Sequence, residues 1–332
     1  MSGAWLREAL TRLPSPDSAS ADAVRARAQR VLRPTGALAA LDDLAAWVAG
    51  WQATTTPAVR RPAVIVFAAD HGVAASGVSA YPTSVTAAML AAYRASRSTV
   101  TAFAREVGAS VTAVDVGVGR PTGDLRRESA LTPERLDDAL DAGRRAVEAV
   151  EADLVCLGEM GIGNTTAAAA LSAALCGGDA LAWVGRGTGV DDAGLARKRA
   201  AVGDALGRIG TLADPLAVLR EVGGAEIAAL VGALVAARLR RMPVLLDGFV
   251  VTVAACVLAR LDPDAIAHCR AAHRSAEPGH GLLLETLGLT PLLDLGMRLG
   301  EASGAVAAVP LVRFACAGVV EVPTFEEWGV PT

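Results

Sequence analysis

Short apolar runs alternate with longer Ala-rich amphipathic stretches through the middle of the chain. The run Ala63–Ala69 (AVIVFAA) is rich in β-branched residues and ends at Asp70-His71-Gly72, which is typical of a buried parallel strand that opens into a functional loop. Comparable runs, which we interpret as further strands, are Ser110–Val116, Asp153–Leu157, Leu181–Val184, Val244–Leu246 and Ala265–Cys269. The helical stretches between them include Pro133–Ala149, Thr165–Leu175, Ala193–Leu206 and Ala225–Arg240. This alternation predicts an α/β fold with a mostly parallel sheet and helices on both of its faces.

Both ends of the chain have a helical pattern instead. Asp22–Leu32 is charged and Ala-rich, apolar positions then repeat at helical spacing, and Ala53–Pro57 (ATTTP) has the composition of a linker. Near the other end, Leu289–Gly304 has the pattern of an apolar helix that enters a turn of small residues, and Glu301 lies at the changeover. We therefore expect helical segments at 1–60 and 291–332 around an α/β nucleotide-binding domain at 61–290.

Composition and charge narrow the functional classes. The hydrophobic fraction of 52% is high, but the apolar stretches are broken by Gly, Asp or Arg, so we expect no transmembrane helix and no membrane partner. The first residues, MSGAWLREALTRLPSPD, place Arg and Glu where a signal peptide needs an apolar core, which predicts a cytoplasmic protein. A net charge of −4 argues against nucleic acid as the main partner.

The five cysteines are scattered and mostly lie within apolar runs, so we interpret them as reduced core residues. His268-Cys269 with His273 could suggest a metal site, but no CxxC or HExxH motif accompanies them. The sequence therefore predicts neither a metal nor a cofactor.

Ligands of an open parallel sheet bind beyond the C-terminal ends of its strands. This rule selects five loops, which begin at Asp70, Gly117, Gly158, Gly185 and Asp247. In the first loop, Asp70 and His71 could orient a ligand, or they could only stabilise the turn. Tyr81, beside Pro82, could form the flat wall of an aromatic pocket.

The loop after the third predicted strand, Gly158–Thr166 (GEMGIGNTT), opens a helix near Thr165. Its glycines allow close backbone approach to an anion, and the N–H groups and dipole of a helix start favour phosphate. Neither GxxxxGK[ST] nor GxGxxG is present, and helix capping is the alternative interpretation. Glu159 would be a second active-site carboxylate, or it would only fix the turn.

A second glycine loop, Gly185–Gly189 (GRGTG), lies between a predicted strand and a helix for which Asp191 or Asp192 can serve as N-cap. Arg186 and Lys198 offer cations for a phosphate or carboxylate, although surface ion pairs would explain the same charges. Two glycine loops after successive strands favour a mononucleotide over a dinucleotide.

Two further polar segments and one carboxylate are also candidates for the functional site. Leu246–Phe249 (LDGF) and His273–His280 (HRSAEPGH) are polar loops between apolar segments, and dense polar loops carry function more often than structure. Glu301 lies among residues so small that a ligand can reach it. We interpret Glu301 as a general base, and a surface residue at a helix end is the alternative.

The motifs FAADHGV, GVSAYP, GEMGIGNTT, GRGTGVDDAGLARK, VGGAEIAAL, PVLLDGFVVT, HRSAEPGH and LGLTPLLDLGMRLGEASGA occur in the order found in one family. Over roughly residues 22–312 the chain resembles the nicotinate-nucleotide–dimethylbenzimidazole phosphoribosyltransferases. That resemblance implies transfer of 5-phosphoribose from nicotinate mononucleotide to 5,6-dimethylbenzimidazole, which gives α-ribazole 5′-phosphate and nicotinate in cobalamin nucleotide-loop assembly. It also implies a homodimer, a Rossmann-like large domain, a small helical domain built from both termini, and chemistry without a metal.

The resemblance also implies roles for individual residues. Glu301 matches the family's catalytic base, and Glu159 and Lys198 match two further catalytic positions. The positions expected to bind substrate are Asp70, His71, Tyr81, Pro82, Ala88, Met160, Gly161, Gly163, Asn164, Thr165, Gly187, Thr188, Gly189, Asp247, His273, Ser275, Leu299 and Gly300.

The chemistry of the residues agrees with these roles. A benzimidazole that attacks through one ring nitrogen loses a proton from the other, so one carboxylate within hydrogen-bond reach suffices as base. The pyridinium leaving group departs as a neutral ring and needs no general acid. Attack from the opposite face inverts the anomeric carbon.

The chain departs from the family at several positions. Ala88 stands where many members have Gln in the wall of the base pocket, the 93–98 segment differs, and the 124–130 segment is shorter. Ala302 replaces the motif glycine after the catalytic Glu. These departures leave two alternatives: transfer to another acceptor, such as adenine, a substituted benzimidazole or a phenolic compound, and a non-catalytic nucleotide-binding homologue.

Overall fold

A computed structural model describes residues 3–330. One sheet of five parallel strands forms its centre, in the order β2-β1-β3-β4-β5. The strands are β1 (Pro62–Ala69), β2 (Ser110–Gly117), β3 (Leu154–Met160), β4 (Val244–Leu246) and β5 (Cys269–Ala271). The predicted parallel sheet is confirmed.

Helices connect and cover the strands. They are α1 (Ala4–Leu10), α2 (Ser18–Ala28), α3 (Ala39–Gln52), α4 (Ser84–Arg94), α5 (Thr99–Glu106), α6 (Pro133–Glu148), α7 (Asn164–Cys176), α8 (Ala180–Trp183), α9 (Asp192–Ile209), α10 (Pro215–Val222), α11 (Ala225–Leu239), α12 (Phe249–Leu261), α13 (Pro278–Leu287) and α14 (Ser303–Val320). The four helical stretches predicted between the strands correspond to α6, α7, α9 and α11, with shifts of at most three residues at their ends.

Strand β1 is buried along its whole length because helices cover both faces of the sheet. Ile65 and Phe67 pack on one side with residues of α6, α7, α11 and α12. Val64 and Val66 pack on the other side with α3, α5 and α14. This alternation confirms helices on both faces, and it brings helices from both ends of the chain onto one face.

The division into domains at residues 60 and 290 stays a prediction. Helices α2, α3 and α14 contact one another, as expected for a helical unit built from both termini. Helix α14 also packs directly on β3 and β4. By length and composition α14 is apolar enough to cross a membrane, but in this fold it is a core helix, with 56% of it buried.

Two of the predicted strands are wrong in whole or in part. Leu181–Val184 lies mostly in the short helix α8, because the Asp179 carboxylate accepts a hydrogen bond from the Leu181 N–H at 2.9 Å and caps a helical turn. The predicted strand from Ala265 begins only at Cys269, since Asp262 and Pro263 start a 3₁₀ turn that holds Ala265. The second glycine loop therefore follows a helix, not a strand.

The predicted apolar helix before Glu301 is also wrong, because residues 289–299 form an irregular segment that pairs with the chain at and just after β5. The Leu292 and Leu293 N–H groups donate to the carbonyls of Ala271 and Ala272, at 3.0 Å each. Pro291 has no N–H to donate to a helix, and Gly296 has a φ of 65°. Glu301 consequently lies at the start of a helix, just before α14, and not at the end of one.

Candidate active site

The winding of the sheet reverses at β1, whose neighbours are β2 on one side and β3 on the other. Such a reversal opens a crevice beyond the C-terminal strand ends, where ligands bind in α/β proteins. A cavity lies at this edge of the sheet. It is lined by Glu159, Met160, Gly161, Ile162, Asn164, Thr165, Gly187, Thr188, Gly248, Phe249, Val250, His273, Ser275, Glu277, Arg298, Leu299 and Gly300.

Ten of the eighteen predicted binding residues line this cavity. They are Met160, Gly161, Asn164, Thr165, Gly187, Thr188, His273, Ser275, Leu299 and Gly300. The other eight are not among the lining residues: Asp70, His71, Tyr81, Pro82, Ala88, Gly163, Gly189 and Asp247. Of the three predicted catalytic residues, Glu159 lines the cavity and Glu301 and Lys198 are buried beside it.

Glu159 belongs to β3 and not to the loop after it, since the strand extends to Met160. The Asn164 side-chain amide donates to Glu159 Oε2, and a Cβ atom on Gly300 would lie only 2.6 Å from Oε1. Burial, together with the negative charges of Glu226 and Asp247, raises the pKa of Glu159 to about 8. Near neutral pH Glu159 is therefore mostly a neutral acid that can donate a hydrogen bond.

Glu301 lies on a turn that only small neighbours permit. Glu301 and Ala302 have φ values of 64° and 68°, and their backbone packs against Gly158 so closely that a side chain there would overlap it. The Glu301 side chain is buried, and its Oε2 has no hydrogen-bond partner among residues 3–330. Burial raises the pKa of this carboxyl, and the hydroxyl of Tyr93 opposes that shift.

Tyr93 faces Glu301 from helix α4. It is 2% exposed, and its hydroxyl likewise has no hydrogen-bond partner of good geometry within the described part of the chain. Burial, followed by the negative charges of Glu301 and Glu159, raises the pKa of Tyr93. An unpaired donor thus lies beside an unpaired acceptor, a relationship that the sequence did not indicate.

Asp247 holds the turn that carries Glu301. The N–H groups of Gly304 and Ala305 donate to Asp247 Oδ1 at 2.7 and 2.9 Å, and that of Ala302 donates to Oδ2 at 3.1 Å. The carboxylate is fully buried at the N-terminus of α14, and His273 Nε2 lies 3.5 Å from Oδ1. Both oxygens face protein groups, which favours a positioning role over the predicted contact with substrate.

His71 and Asp70 support the loops beneath the cavity. His71 Nε2 lies 2.6 Å from Glu226 Oε1, and both side chains are fully buried. A Cβ atom on Gly161 would lie 3.2 Å from the His71 ring, so the first glycine loop rests on this pair. Asp70 Oδ2 accepts a hydrogen bond from Gly119 N–H at 2.8 Å. The structure thus favours the turn-stabilising interpretation of both residues.

Lys198 is the only lysine of the chain, among 31 basic residues, and it is 1% exposed. Its ammonium donates to Thr165 Oγ1 at 2.9 Å and lies close to Gly187, so it joins the two glycine loops. Burial lowers the pKa of Lys198 to about 8, and the nearby Glu277 partly offsets this. A cation is therefore held where an anionic ligand would meet both loops.

Sequence reasoning missed Glu277 and Glu226. Glu277 Oε1 accepts a hydrogen bond from Gly187 N–H at 2.8 Å, so that N–H is not free for a phosphate, and Oε2 has no partner among residues 3–330. Glu226 is an isolated acid in the otherwise apolar start of α11, AEIAALVGALVA, and that isolation was the one available indication.

The remaining predicted residues lie at the rim or at helix starts. Tyr81 is 55% exposed, and its loop reaches the cavity through the Ala80 N–H, which donates to Thr188 Oγ1 at 3.3 Å. Pro82 and Ala88 are exposed too, Ala88 on α4. Gly163 and Gly189 have φ values of 98° and 102°, as turns before α7 and α9 require.

Comparison with known proteins shows which family the chain resembles. The profile of a family described as "Phosphoribosyltransferase" matches residues 13–330. A protein of Mesorhizobium japonicum named nicotinate-nucleotide–dimethylbenzimidazole phosphoribosyltransferase is 50% identical over 326 residues, which is 98% of this chain and 97% of that protein. A Cereibacter sphaeroides protein of the same name is 48% identical over 328 residues, with coverage of 98% and 97%.

A solved structure has the same fold. The crystal structure of CobT from Thermus thermophilus superposes with a TM-score of 0.90 at 42% identity, covering 94% of this chain and 99% of that one. A second structure from the same organism, titled with the phosphoribosyltransferase name, also gives 0.90 at 41% identity, covering 95% and 99%.

Proposed function

The chain belongs to the phosphoribosyltransferase family that these relatives represent, and we propose that it transfers 5-phosphoribose from nicotinate mononucleotide to 5,6-dimethylbenzimidazole or a closely related base. The products are nicotinate and α-ribazole 5′-phosphate, made with inversion at C1′ in cobalamin nucleotide-loop assembly. One observation carries the proposal: Glu159 Oε1 packs against Gly300, the residue before Glu301, at the C-terminal strand ends, and a buried lysine bridges two glycine loops at the same cavity.

We assign the proton acceptor to Glu301. Its unpaired Oε2 is available to the N–H of an acceptor base, and burial, which raises the pKa of the carboxyl, strengthens it as a base near neutrality. Glu159, with a pKa of about 8, acts instead as a neutral hydrogen-bond donor. The two residues have different roles because only one of two neighbouring buried carboxyls readily gives up its proton.

We assign the 5′-phosphate to the start of α7 and the Lys198 ammonium. The start of a helix is the positive end of its dipole, which favours an anion, and the Thr165 hydroxyl already contacts Lys198. Thr188 lies on the second loop at the same cavity. Phosphate binding there fixes the ribose between the two loops, so its C1′ faces the carboxylates.

The decisive assay incubates the enzyme with nicotinate mononucleotide and one acceptor at a time, and separates the products by chromatography. Dimethylbenzimidazole as the best acceptor supports the proposal. Ala88 is exposed on α4, the helix that also carries Tyr93, and it motivates a second candidate in which adenine, a substituted benzimidazole or a phenolic compound is preferred. Absence of nicotinate release with every acceptor would leave only a non-catalytic nucleotide-binding protein.

We further propose that the protein is a cytoplasmic homodimer. Leu299 lines the cavity and is 52% exposed, and Leu295 of the same extended segment is 67% exposed, so an apolar edge of the site is open in the single chain. Light scattering coupled to size exclusion measures the mass directly. A single-chain mass at micromolar concentration would refute the dimer without affecting the assigned chemistry.

A further inference from the structure

Two of the five cysteines meet at a point remote from the strand ends. Cys176 is the last residue of α7 and Cys256 lies in the middle of α12, and their Sγ atoms are 3.5 Å apart. Cys256 is fully buried, whereas Cys176 is half-buried. The pair therefore combines one thiol that a small solute can reach with a second thiol directly behind it.

A cation activates the accessible thiol. Arg260 follows Cys256 by one helical turn on α12, and its guanidinium lies beside Cys176. The Cys256 thiol and Arg260 together lower the pKa of Cys176 to about 6, while contact with Cys176 and burial raise that of Cys256. The lowered pKa of Cys176 favours its thiolate, which is the nucleophilic form.

The other cysteines lack these features. Cys156, Cys269 and Cys316 are buried, and burial raises the pKa of each thiol. Arg238 and Arg270 lie near Cys269, but burial outweighs their charges and the pKa of its thiol is still raised. Buried thiols of this kind are unreactive. These three residues are internal controls for the chemistry of the pair.

The chain after Cys176 gives the sulfur room to move. Gly177 and Gly178 follow with φ values of 74° and 83°, and a Cβ atom on Gly177 would meet nothing within 4 Å. A bonded sulfur pair is about 2.0 Å apart, so the two atoms must approach by roughly 1.5 Å. The C-terminal end of α7 is followed by two glycines, so a small movement of this end can bring the two sulfur atoms together.

We propose that Cys176 and Cys256 form a dithiol modification site, which hydrogen peroxide converts into a disulfide between α7 and α12. The Cys176 thiolate attacks one peroxide oxygen, the O–O bond breaks, and the released hydroxide takes a proton to become water. The Cys176 sulfenic acid that results is attacked by the Cys256 sulfur, which loses its proton, and the S–O bond breaks to release a second water. The two thiols together lose two electrons, and these electrons reduce the peroxide to water.

The disulfide joins two helices that both begin at the active site. Helix α7 begins at Asn164, and α12 begins at Phe249, a residue of the cavity wall. The new bond closes a loop of about 80 residues, which restricts the unfolded chain and stabilises the folded one. We therefore expect the oxidised protein to have a higher Tm than the reduced protein, with the change reversed by dithiothreitol.

The test treats the purified full chain with a small excess of hydrogen peroxide and measures free thiols, intact mass and disulfide-linked peptides. The expected result is a loss of two thiols, a mass decrease of about 2 Da and a linked peptide pair containing Cys176 and Cys256. Cys176→Ser should abolish all three changes, and Cys156→Ser should leave them intact.

Three outcomes would overturn the proposal. One is a wild-type mass that stays constant under peroxide while a surface thiol standard is fully oxidised. Another is a mass increase of about 16 or 32 Da, which marks a sulfur that gains oxygen without a partner. The third is a linked pair that includes Cys156, Cys269 or Cys316. Cys176 lies at a half-exposed helix end, so its Ser variant keeps the test usable even if Cys256→Ser does not fold.

Discussion

Asp247 secures Glu301 through the backbone and not through its side chain: Asp247 Oδ2 accepts the N–H of Ala302, the residue that follows Glu301, at 3.1 Å. Asp247 Oδ1 accepts two more N–H groups of the same helix start. The carboxylate at the end of β4 therefore fixes a turn in which two successive residues have positive φ, and this turn holds Glu301 directly after Gly300, a residue of the cavity wall.

Asp247→Asn should lower kcat about 10–100-fold with a smaller change in the KM for nicotinate mononucleotide. The amide has only one oxygen to accept these three N–H groups, so the turn relaxes and Glu301 moves, and a displacement of about 1 Å is enough for a loss of this size. Steady-state kinetics measure the split between kcat and KM. Asp262→Asn is the matched control, because Asp262 also caps a helical turn, through Asp264 N–H at 3.0 Å, and it does not line the cavity. An equal loss in both variants would contradict the positioning role.

Glu301→Gln should keep the fold and the binding of nicotinate mononucleotide but lose about 10²–10⁴-fold in turnover, the usual contribution of a general base. The amide has nearly the same shape but cannot accept the proton of the acceptor base. Ligand titration followed by a single-turnover assay separates binding from chemistry. Glu321→Gln, at the far end of α14, is the control. Turnover close to wild type would remove Glu301 from this role.

Tyr93→Phe should move the acid limb of the pH profile of kcat/KM to higher pH, by up to about one unit. The Tyr93 hydroxyl lowers the pKa of Glu301, whereas burial and the charge of Asp247 raise it. Glu159 is also near, since the charge of Glu301 raises the pKa of Glu159. Without the hydroxyl only the raising effects remain, so Glu301 is protonated at higher pH. Tyr81→Phe is the control, since Tyr81 is the only other tyrosine and is exposed. An unshifted limb in Tyr93→Phe would mean that the hydroxyl does not act on Glu301.

Much of this site could be predicted from the sequence, because parallel strands leave recognisable apolar runs and their ends must meet at one edge of the sheet. The first glycine loop and Glu159 were placed at the cavity in this way. The second glycine loop also lies there, although it follows helix α8 and not the predicted strand. The secondary-structure predictions were wrong where the local apolar pattern favours one structure and hydrogen bonds with distant parts of the chain favour another. Residues 289–299 have a helical apolar pattern, yet they form an irregular segment, because the pairing of Leu292 and Leu293 with Ala271 and Ala272 is available only in the folded protein.

The sequence also did not reveal hydrogen-bond partners that are far apart along the chain. His71 and Glu226 are separated by 155 positions, and nothing near either residue indicates the other. Asp247 follows a strand, and the family resemblance implies that it binds substrate, which stays a prediction. The hydrogen-bond partners that the structure gives it lie more than fifty residues further on, at the start of α14. Position at a strand end predicts that a side chain reaches the site, and only the assembled fold decides whether it faces the ligand or the protein.

Glu159→Gln should stabilise the protein above about pH 5. The pKa of Glu159 is about 8 in the folded chain, against an ordinary value of 4.5, so folding favours the protonated acid. The stability of the wild type is therefore fully present below about pH 4.5 and falls as the pH rises toward 8. The amide removes this loss, which we put at about 1–2 kcal/mol because the side chain lines the cavity and keeps some contact with solvent. Urea unfolding at about pH 5 and about pH 8.5 measures it, and a difference between the two proteins that does not grow with pH would refute the shifted pKa.

Lys198→Arg should be nearly as damaging as Lys198→Met, although Arg keeps the charge. The chain uses arginine at every other basic position, so a lysine retained at a site that is 1% exposed indicates that a guanidinium does not serve there. The pocket between Thr165 and Gly187 holds a compact ammonium, and the larger planar group would push the glycine loops apart. We expect the KM for nicotinate mononucleotide to rise at least about 10-fold in both variants.

In the wild type that KM should also rise above about pH 8, where Lys198 loses its proton. This rise should be missing in Lys198→Met, even though Glu159 titrates in the same range. Full phosphate affinity in Lys198→Arg would show that charge alone matters at this position.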